Sequence, residues 1–483
     1  MIGQAYAVGD SQHRCARGPA GRADRQHASD KAGLRLTPVE SVLLFIVGVL
    51  AAVIGLAASI ALHEVGHLVP AKRFGVRVTQ YMVGFGPTLF SRKRGETEYG
   101  VKAIPLGGYV AMIGMYPPAK AGQAARTGGT GFMSSMIDDA RLASAEGVLP
   151  GEESRTYAAL PVWKRIVIMV GGPAMNFVIA ILGFMIVCSG FGLYQPSTTV
   201  GTVYECVVPA GSVAPEPGEA CETPAPAFEA GLLPGDRITS VDGTATDSWD
   251  LLQETIRVSP GEPISVGVDR AGEQLQVELT PSVNTVYELD ELTGARVEAA
   301  DGSFVTQEVG FVGITPTQER IRQSPLYAFT MAEANVRAVG NFLITIPERI
   351  VEMWNAGFGG AERDPNGPMS VVGVGRITGE VAAESSIPVV DRVATIVQLV
   401  ASVNIALGVI NLVPLPPLDG GHVLAALIDG VRRRLAKLFG RPDPGPFDTA
   451  KLLPVTLVIA GCLMAMSALF IYVDIVNPIR LFE

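Results

Sequence analysis

Residues 41–62 (SVLLFIVGVLAAVIGLAASIAL) run for 22 positions without a charge. As a helix rising 1.5 Å per residue, this run is roughly 33 Å long, enough to cross a bilayer. His63-Glu64-Val65-Gly66-His67 follows at the next residue. Ionisable groups at the end of a membrane span are costly, so they usually mark function. Two histidines four apart lie on one face of a helix, one turn apart, where their imidazoles can share one zinc ion. The glutamate after the first histidine can act as general base on water held there. The bland alternative is two helical histidines and a snorkelling glutamate at a membrane edge. With only five histidines in the chain, chance spacing of this kind is improbable. The metal reading still requires a third ligand.

Composition agrees with a membrane protein that carries soluble portions. Of the 483 residues, 48% are hydrophobic and 17% charged, against roughly 25% charged in soluble domains. The formal net charge of −10 argues against nucleic acid as a partner. Five cysteines with no C-x-x-C spacing exclude a cysteine zinc site and a disulfide-built fold. Cys206 and Cys221 share one Pro/Glu-rich stretch, and either pair in an oxidising compartment or stay as two free thiols.

Four apolar segments stand out, at about 41–69, 166–194, 394–428 and 453–473, the third broken at Pro414, Pro416 and Pro417. Residues 70–165 carry 13 Lys/Arg against 7 Asp/Glu, whereas residues 196–310 carry 4 against 20. The positive-inside tendency puts the first and third connections in the cytoplasm and the acidic segment outside. Spans one and three then run in the same direction, and their C-terminal ends meet on the cytoplasmic side. That places Asp419, just past the proline break, as the third ligand beside His63 and His67. Two histidines and a carboxylate leave one position open, the catalytic form of a zinc site.

The remaining chain divides by composition. Residues 1–36 are polar, rich in Arg, Gly and Ala, and read as a disordered N-terminal extension. Residues 37–195 form the first part of a membrane core, with two spans and a cytoplasmic loop. Within it, 98–113 predicts a short hairpin with a Gly-Gly turn, and 117–160 a loose loop. Residues 196–290 hold an α+β module: a Pro-Gly-Asp turn and an Asp-Gly turn within 228–243, helix at 248–258, and paired strands over 264–281. Residues 291–390 form a connector whose 324–353 stretch is amphipathic, either at the membrane interface or packed on the module. Residues 391–483 complete the membrane core.

HEVGH in the first span, GGPAMNF in the second and NLVPLPPLDGGH in the third together resemble a site-2 protease, the intramembrane zinc metalloprotease family. The likeness covers about residues 40–480 and is closest to the bacterial branch that acts on anti-sigma factors. It implies an α-helical polytopic protein of about four transmembrane helices, with a membrane-associated β-loop and an inserted extracytoplasmic PDZ-like α+β domain. The implied place is the bacterial plasma membrane. One Zn2+ per chain would be held by His63, His67 and Asp419, with Glu64 catalytic. Asn411, Pro414 and Pro416 resemble positions that hold an unwound substrate segment, and Asn176 would assist them. For the two asparagines the alternative is helix–helix hydrogen bonding. His422 reads as a structural neighbour. The implied partners are the lipid bilayer, single-span membrane substrates such as anti-sigma factors, and an upstream site-1 protease. The competing classes are a non-catalytic PDZ scaffold that gathers envelope proteins, and a metal-binding or transport protein. Four intact site residues disfavour the first, and the lack of an intramembrane carboxylate chain disfavours the second.

Overall fold

The computed structural model describes residues 37–115, 144, 147–212, 221, 223–246, 248–288, 297, 299, 303–361, 363–364 and 367–479. The expected N-terminal extension at 1–36 and most of the expected loop at 117–160 lie outside these residues. The chain divides into two compact units, one spanning 192–323 and the other formed by the segments on either side.

Helix α1 spans Pro38–Arg73. Thr37 caps it in a reciprocal box: Glu40 N donates to Thr37 Oγ1 and Thr37 N to Glu40 Oε2, at 3.3 and 2.8 Å. Its 36 residues make about 54 Å of helix, longer than the hydrocarbon core, and the histidines fall in its last third.

Strands β1 (Val78–Arg94) and β2 (Thr97–Met112) follow. Both bend, so the pair forms four rows, ordered 108–112, 78–83, 98–101 and 90–94, antiparallel at the two outer pairings and parallel at the middle one. The chain reverses at Gly95-Glu96, between the partners Arg94 and Thr97. The expected hairpin within 98–113 does not form, since 98–101 and 108–112 each pair with 78–83 and not with each other; β2 folds back between them, with Gly107 in the bend. Gly107 has φ of 112°, and a Cβ there would lie 2.6 Å from the Phe85 ring. A glycine signals either a turn or close backbone contact, and sequence does not separate the two. Helix α2 spans Val162–Met185 and runs on as a wider turn to Phe191.

In the 192–323 unit, β3 (Leu193–Val203) is followed by β4 (Arg237–Val241) and β5 (Thr244–Ala245). Helix α3 (Trp249–Val258) and strands β6 (Ile264–Arg270) and β7 (Glu273–Leu279) come next. β8 (Ser282–Tyr287), β9 (Thr306–Phe311) and β10 (Ile314–Ile321) complete it. The main sheet runs β10-β3-β4-β6-β7, with β5 on β4 and a separate β8-β9 ribbon. Ser248 caps α3, which turns Trp249, Leu252 and Ile256 into a core with Val200, Ile238, Val266 and Val268. Strand content therefore extends past residue 290: β10 returns to β3, across more than a hundred residues of chain, a pairing that local pattern does not announce. Cys206 and Cys221 are disulfide-bonded, with Cα atoms 5.4 Å apart.

Buried Asp236 organises the Pro-Gly-Asp turn by accepting from Arg270 Nε and Nη2, both at 2.7 Å, and from Leu233 N at 2.8 Å. The Arg270 hydrogen bonds hold its carboxyl below the usual range. A depressed folded pKa contributes stability above the unfolded value of about 3.9, and that contribution is lost as pH falls through the folded value. Asp236→Ala should cost about 2–3 kcal/mol. Hydrogen exchange in β4 and β6 would then speed up roughly 30- to 150-fold at pH 7, a difference that shrinks as pH falls through the folded value. Equal exchange at pH 7 would show the pair to be idle.

The rest of the membrane unit comprises α4 (Tyr327–Ile344), α5 (Ile346–Phe358), α6 (Val371–Ala383), α7 (Val389–Asn411), α8 (Asp419–Leu438) and α9 (Leu453–Val476). The amphipathic stretch is two helices, because Pro347 opens α5. α4 packs on α2 and α7, and α5 on α9, so both belong with the membrane unit. Among the described residues, four helices are long and apolar enough to span a membrane: Pro38–Arg73, Val162–Phe191, Val389–Asn411 and Thr449–Val476. The third apolar segment ends at Asn411, and α8 is a separate amphipathic helix after the proline break. α6 lies tightly on α1, where a Cβ on Gly48 would come within 2.5 Å of Thr378 O.

Candidate metal centre

The last third of α1, the first half of α2 and the start of α8 converge on one point. His63 Nε2 and His67 Nε2 are 3.2 Å apart. Each lies 3.4 Å from Asp419 Oδ2. These three residues are the one candidate metal cluster among the described residues. Asp419 Oδ2 is buried and accepts no hydrogen bond. Lone pairs turned on one another at this distance repel unless a cation or a proton lies between them. A tetrahedral zinc with bonds of about 2.0–2.1 Å sets its ligand atoms about 3.3–3.4 Å apart, so the triangle fits. Two imidazoles and one carboxylate suit Zn2+ better than Ca2+ or Mg2+, which prefer all-oxygen shells.

The approach of the helices depends on missing side chains. A Cβ on Gly66 would stand 2.2 Å from Gly171 O, and one on Gly171 would stand 2.1 Å from Gly66 O. Pro70 lacks the N–H that would engage the Gly66 carbonyl, which leaves that oxygen on the contact face. A Cβ on Gly172 would meet His67 Nε2 at 2.2 Å and His63 Cε1 at 2.7 Å. On the far side, Gly420 and Gly421 let the chain at 412–416 wrap the start of α8. Their Cβ atoms would fall 2.4 Å from Leu412 O and 2.6 Å from Pro416 N.

Neighbours orient the ligands. His67 Nδ1 lies 2.8 Å from Ile168 O. A carbonyl only accepts, so Nδ1 carries the proton and Nε2 keeps its lone pair toward Asp419. His63 Nδ1 meets Asn176 Nδ2 at 3.1 Å. Tyr81 donates to Ala61 O at 2.7 Å, fixing the β-sheet against α1 two residues before His63. One turn earlier, Asn404 donates to Ser59 Oγ at 2.8 Å and ties α7 to α1. Buried Glu64 faces β2, where a Cβ on Gly108 would sit 2.9 Å from its Cγ and 3.2 Å from Oε1.

The structure thus gathers His63, His67 and Asp419, with Glu64 adjacent. Asn176 is buried against His63. Asn411 ends α7, and Pro414 and Pro416 occupy the break before Asp419. His422 lines a cavity of about 120 Å³ with Pro416, Pro417, Thr449 and Thr456. The Ile168 carbonyl and Tyr81 have no individual reading in the sequence, and Gly66, Gly108, Gly171 and Gly172 have none as points of close contact. Only the glycines carried a signal, as glycines inside or beside helical pattern. Asp419→Ala leaves two ligands, and purified protein should then hold metal at least roughly 100-fold more weakly. Unchanged metal content would remove Asp419 from the ligand set.

A polytopic helical protein in which an H-E-x-x-H pair on one span meets an aspartate after another is a membrane metalloendopeptidase of the site-2 protease type. The chain belongs to peptidase family M50, which residues 51–441 match. It is similar to the zinc metalloprotease Rip1 of Mycobacterium tuberculosis, with 31% identity over 91% of this chain and 100% of that protein. Rip1 of Mycolicibacterium smegmatis shares 33% over the same proportions. The zinc metalloprotease RasP of Geobacillus kaustophilus shares 28%, over 82% of this chain and 90% of its own.

Proposed function

We propose that the protein is an intramembrane zinc endopeptidase that cuts transmembrane segments of single-span proteins, anti-sigma factors among them, after a separate protease makes a first extracytoplasmic cut. The observation that carries this reading is the contact of three elements: the His63, His67 and Asp419 triangle, buried Glu64, and the strand at 108–112. One zinc ion held by the triangle would supply Lewis acidity for the attacking water and the scissile carbonyl. Glu64 takes the proton of that water and returns it to the leaving amine. A peptide bond inside a helix is shielded, so the substrate must be extended first. The 108–112 row pairs on one side with 78–83 and has no strand partner on the other among the described residues. An extended substrate adds there as a further strand, directly beside Glu64. Asn411, Pro414 and Pro416 hold its unwound end.

The 192–323 unit is read as PDZ-like, on its antiparallel sheet with one capped helix and the AGLLPGD turn. Its acidic composition and its disulfide favour the extracytoplasmic side. There it works as a size filter that admits substrates already trimmed. The membrane is then the bacterial plasma membrane, with the metal centre toward the cytoplasmic face.

Quantitative proteomics of membranes from cells carrying wild-type or Glu64→Ala protein tests this. Short single-span stubs should accumulate only with the variant, and their sequences name the substrates. Equal stub levels, with both proteins stably present under envelope stress, would favour a non-catalytic scaffold.

A further inference from the structure

The two histidines are held from behind by different kinds of group. His67 Nδ1 faces a backbone carbonyl, Ile168 O, at 2.8 Å. His63 Nδ1 faces a carboxamide, with Asn176 Nδ2 at 3.1 Å. Asn176 is 1% exposed, and its Oδ1 is buried with no hydrogen-bond partner. An unpaired amide oxygen in a dry interior costs about 1–3 kcal/mol, so its place demands a reason. With Nδ2 donating to Nδ1, the proton of His63 sits on Nε2, which lies 3.2 Å from His67 Nε2 and 3.4 Å from Asp419 Oδ2. That arrangement suits the metal-free centre. A metal on Nε2 displaces that proton, and neutral His63 must then carry its proton on Nδ1, which needs an acceptor. A half turn of the Asn176 amide exchanges its nitrogen for its oxygen. The Nδ1–H then donates to Oδ1, and the orphaned oxygen gains its partner.

We infer that Asn176 is a positioning residue for the metal. Its amide serves His63 in both states, donating through Nδ2 when the centre is empty and accepting through Oδ1 when it is loaded. This rests on the zinc reading above and moves Asn176 away from the substrate contact that the family likeness implies. Asparagine suits the position because it is the smallest side chain that offers both a donor and an acceptor from one planar group. Aspartate offers only the acceptor and leucine offers neither, so the two variants separate the roles.

The test is zinc affinity by chelator competition on full-length protein in detergent, for wild type, Asn176→Asp and Asn176→Leu. Cleavage of a transmembrane reporter at saturating zinc and thermal melting with excess zinc are measured alongside. Asn176→Leu should weaken zinc 10- to 100-fold. Asn176→Asp should hold zinc as tightly as wild type or more tightly, with KM for the reporter unchanged in both. Unchanged zinc affinity in Asn176→Leu overturns the inference, and a raised KM in that case makes Asn176 a substrate contact. Equal loss of zinc affinity and of melting temperature in both variants also overturns it, in favour of plain helix packing. Wild-type protein that fails to bind zinc defeats the metal reading itself, an outcome distinct from the other two.

Discussion

Glu64→Gln should keep its metal and lose roughly 10²- to 10⁴-fold of its cleavage rate, the range for removing a positioned general base. The substitution keeps the size of a side chain wedged between α1 and Gly108, where a Cβ on the glycine would be 2.9 Å from Glu64 Cγ. The ligand triangle is made of other residues, so it stays intact. Metal content by mass spectrometry and turnover of a transmembrane reporter, measured on one preparation, read the two properties separately. Cleavage at the wild-type rate would sink the assignment of Glu64. Loss of metal together with activity would make Glu64 a builder of the centre rather than its base.

Gly172→Ala is expected to be nearly as severe, although it removes no reactive group. The added methyl would be built 2.2 Å from His67 Nε2 and 2.7 Å from His63 Cε1. Carbon and nitrogen in contact sit about 3.5 Å apart, so either the rings or the helices must move by about 1 Å. Parting the helices would open the backbone contact of Gly66 with Gly171 and cost its packing. The imidazoles therefore move, and a 1 Å misplacement costs about 100-fold in rate. Metal affinity should fall in parallel. Gly461 in α9 has open space where its Cβ would stand, so Gly461→Ala is the matched control and should behave as wild type. Full activity in Gly172→Ala would mean that the α1–α2 contact tolerates a spacing this structure does not show.

The reactive residues were legible because their chemistry is local. The i, i+4 spacing of His63 and His67 is readable from five letters, and span direction predicted that Asp419 would reach them. What stayed hidden was mostly backbone. The Ile168 carbonyl that orients His67 has no side-chain signature at all. The Gly-Gly at 107–108 looked like a turn because glycine means either reversal or close approach. The bent β-sheet, in which two rows pair on both sides, and the return of β10 to β3 are both non-local. Alternation shows that strands exist but not which strand lies beside which. Asn176 stands out in the sequence only through the family likeness, and its neighbour is a histidine that only the fold brings close.

α1 touches its surroundings backbone to backbone at two glycines, Gly48 against α6 and Gly66 against α2. They are 18 residues apart, about 27 Å along the axis. A helix bolted at both points behaves as a beam and cannot slide or roll at one end alone. The histidines ride on that beam between Gly48 and its far end. Their position along the helix axis is thus set by a distant joint at Gly48 as well as by the neighbour that holds them.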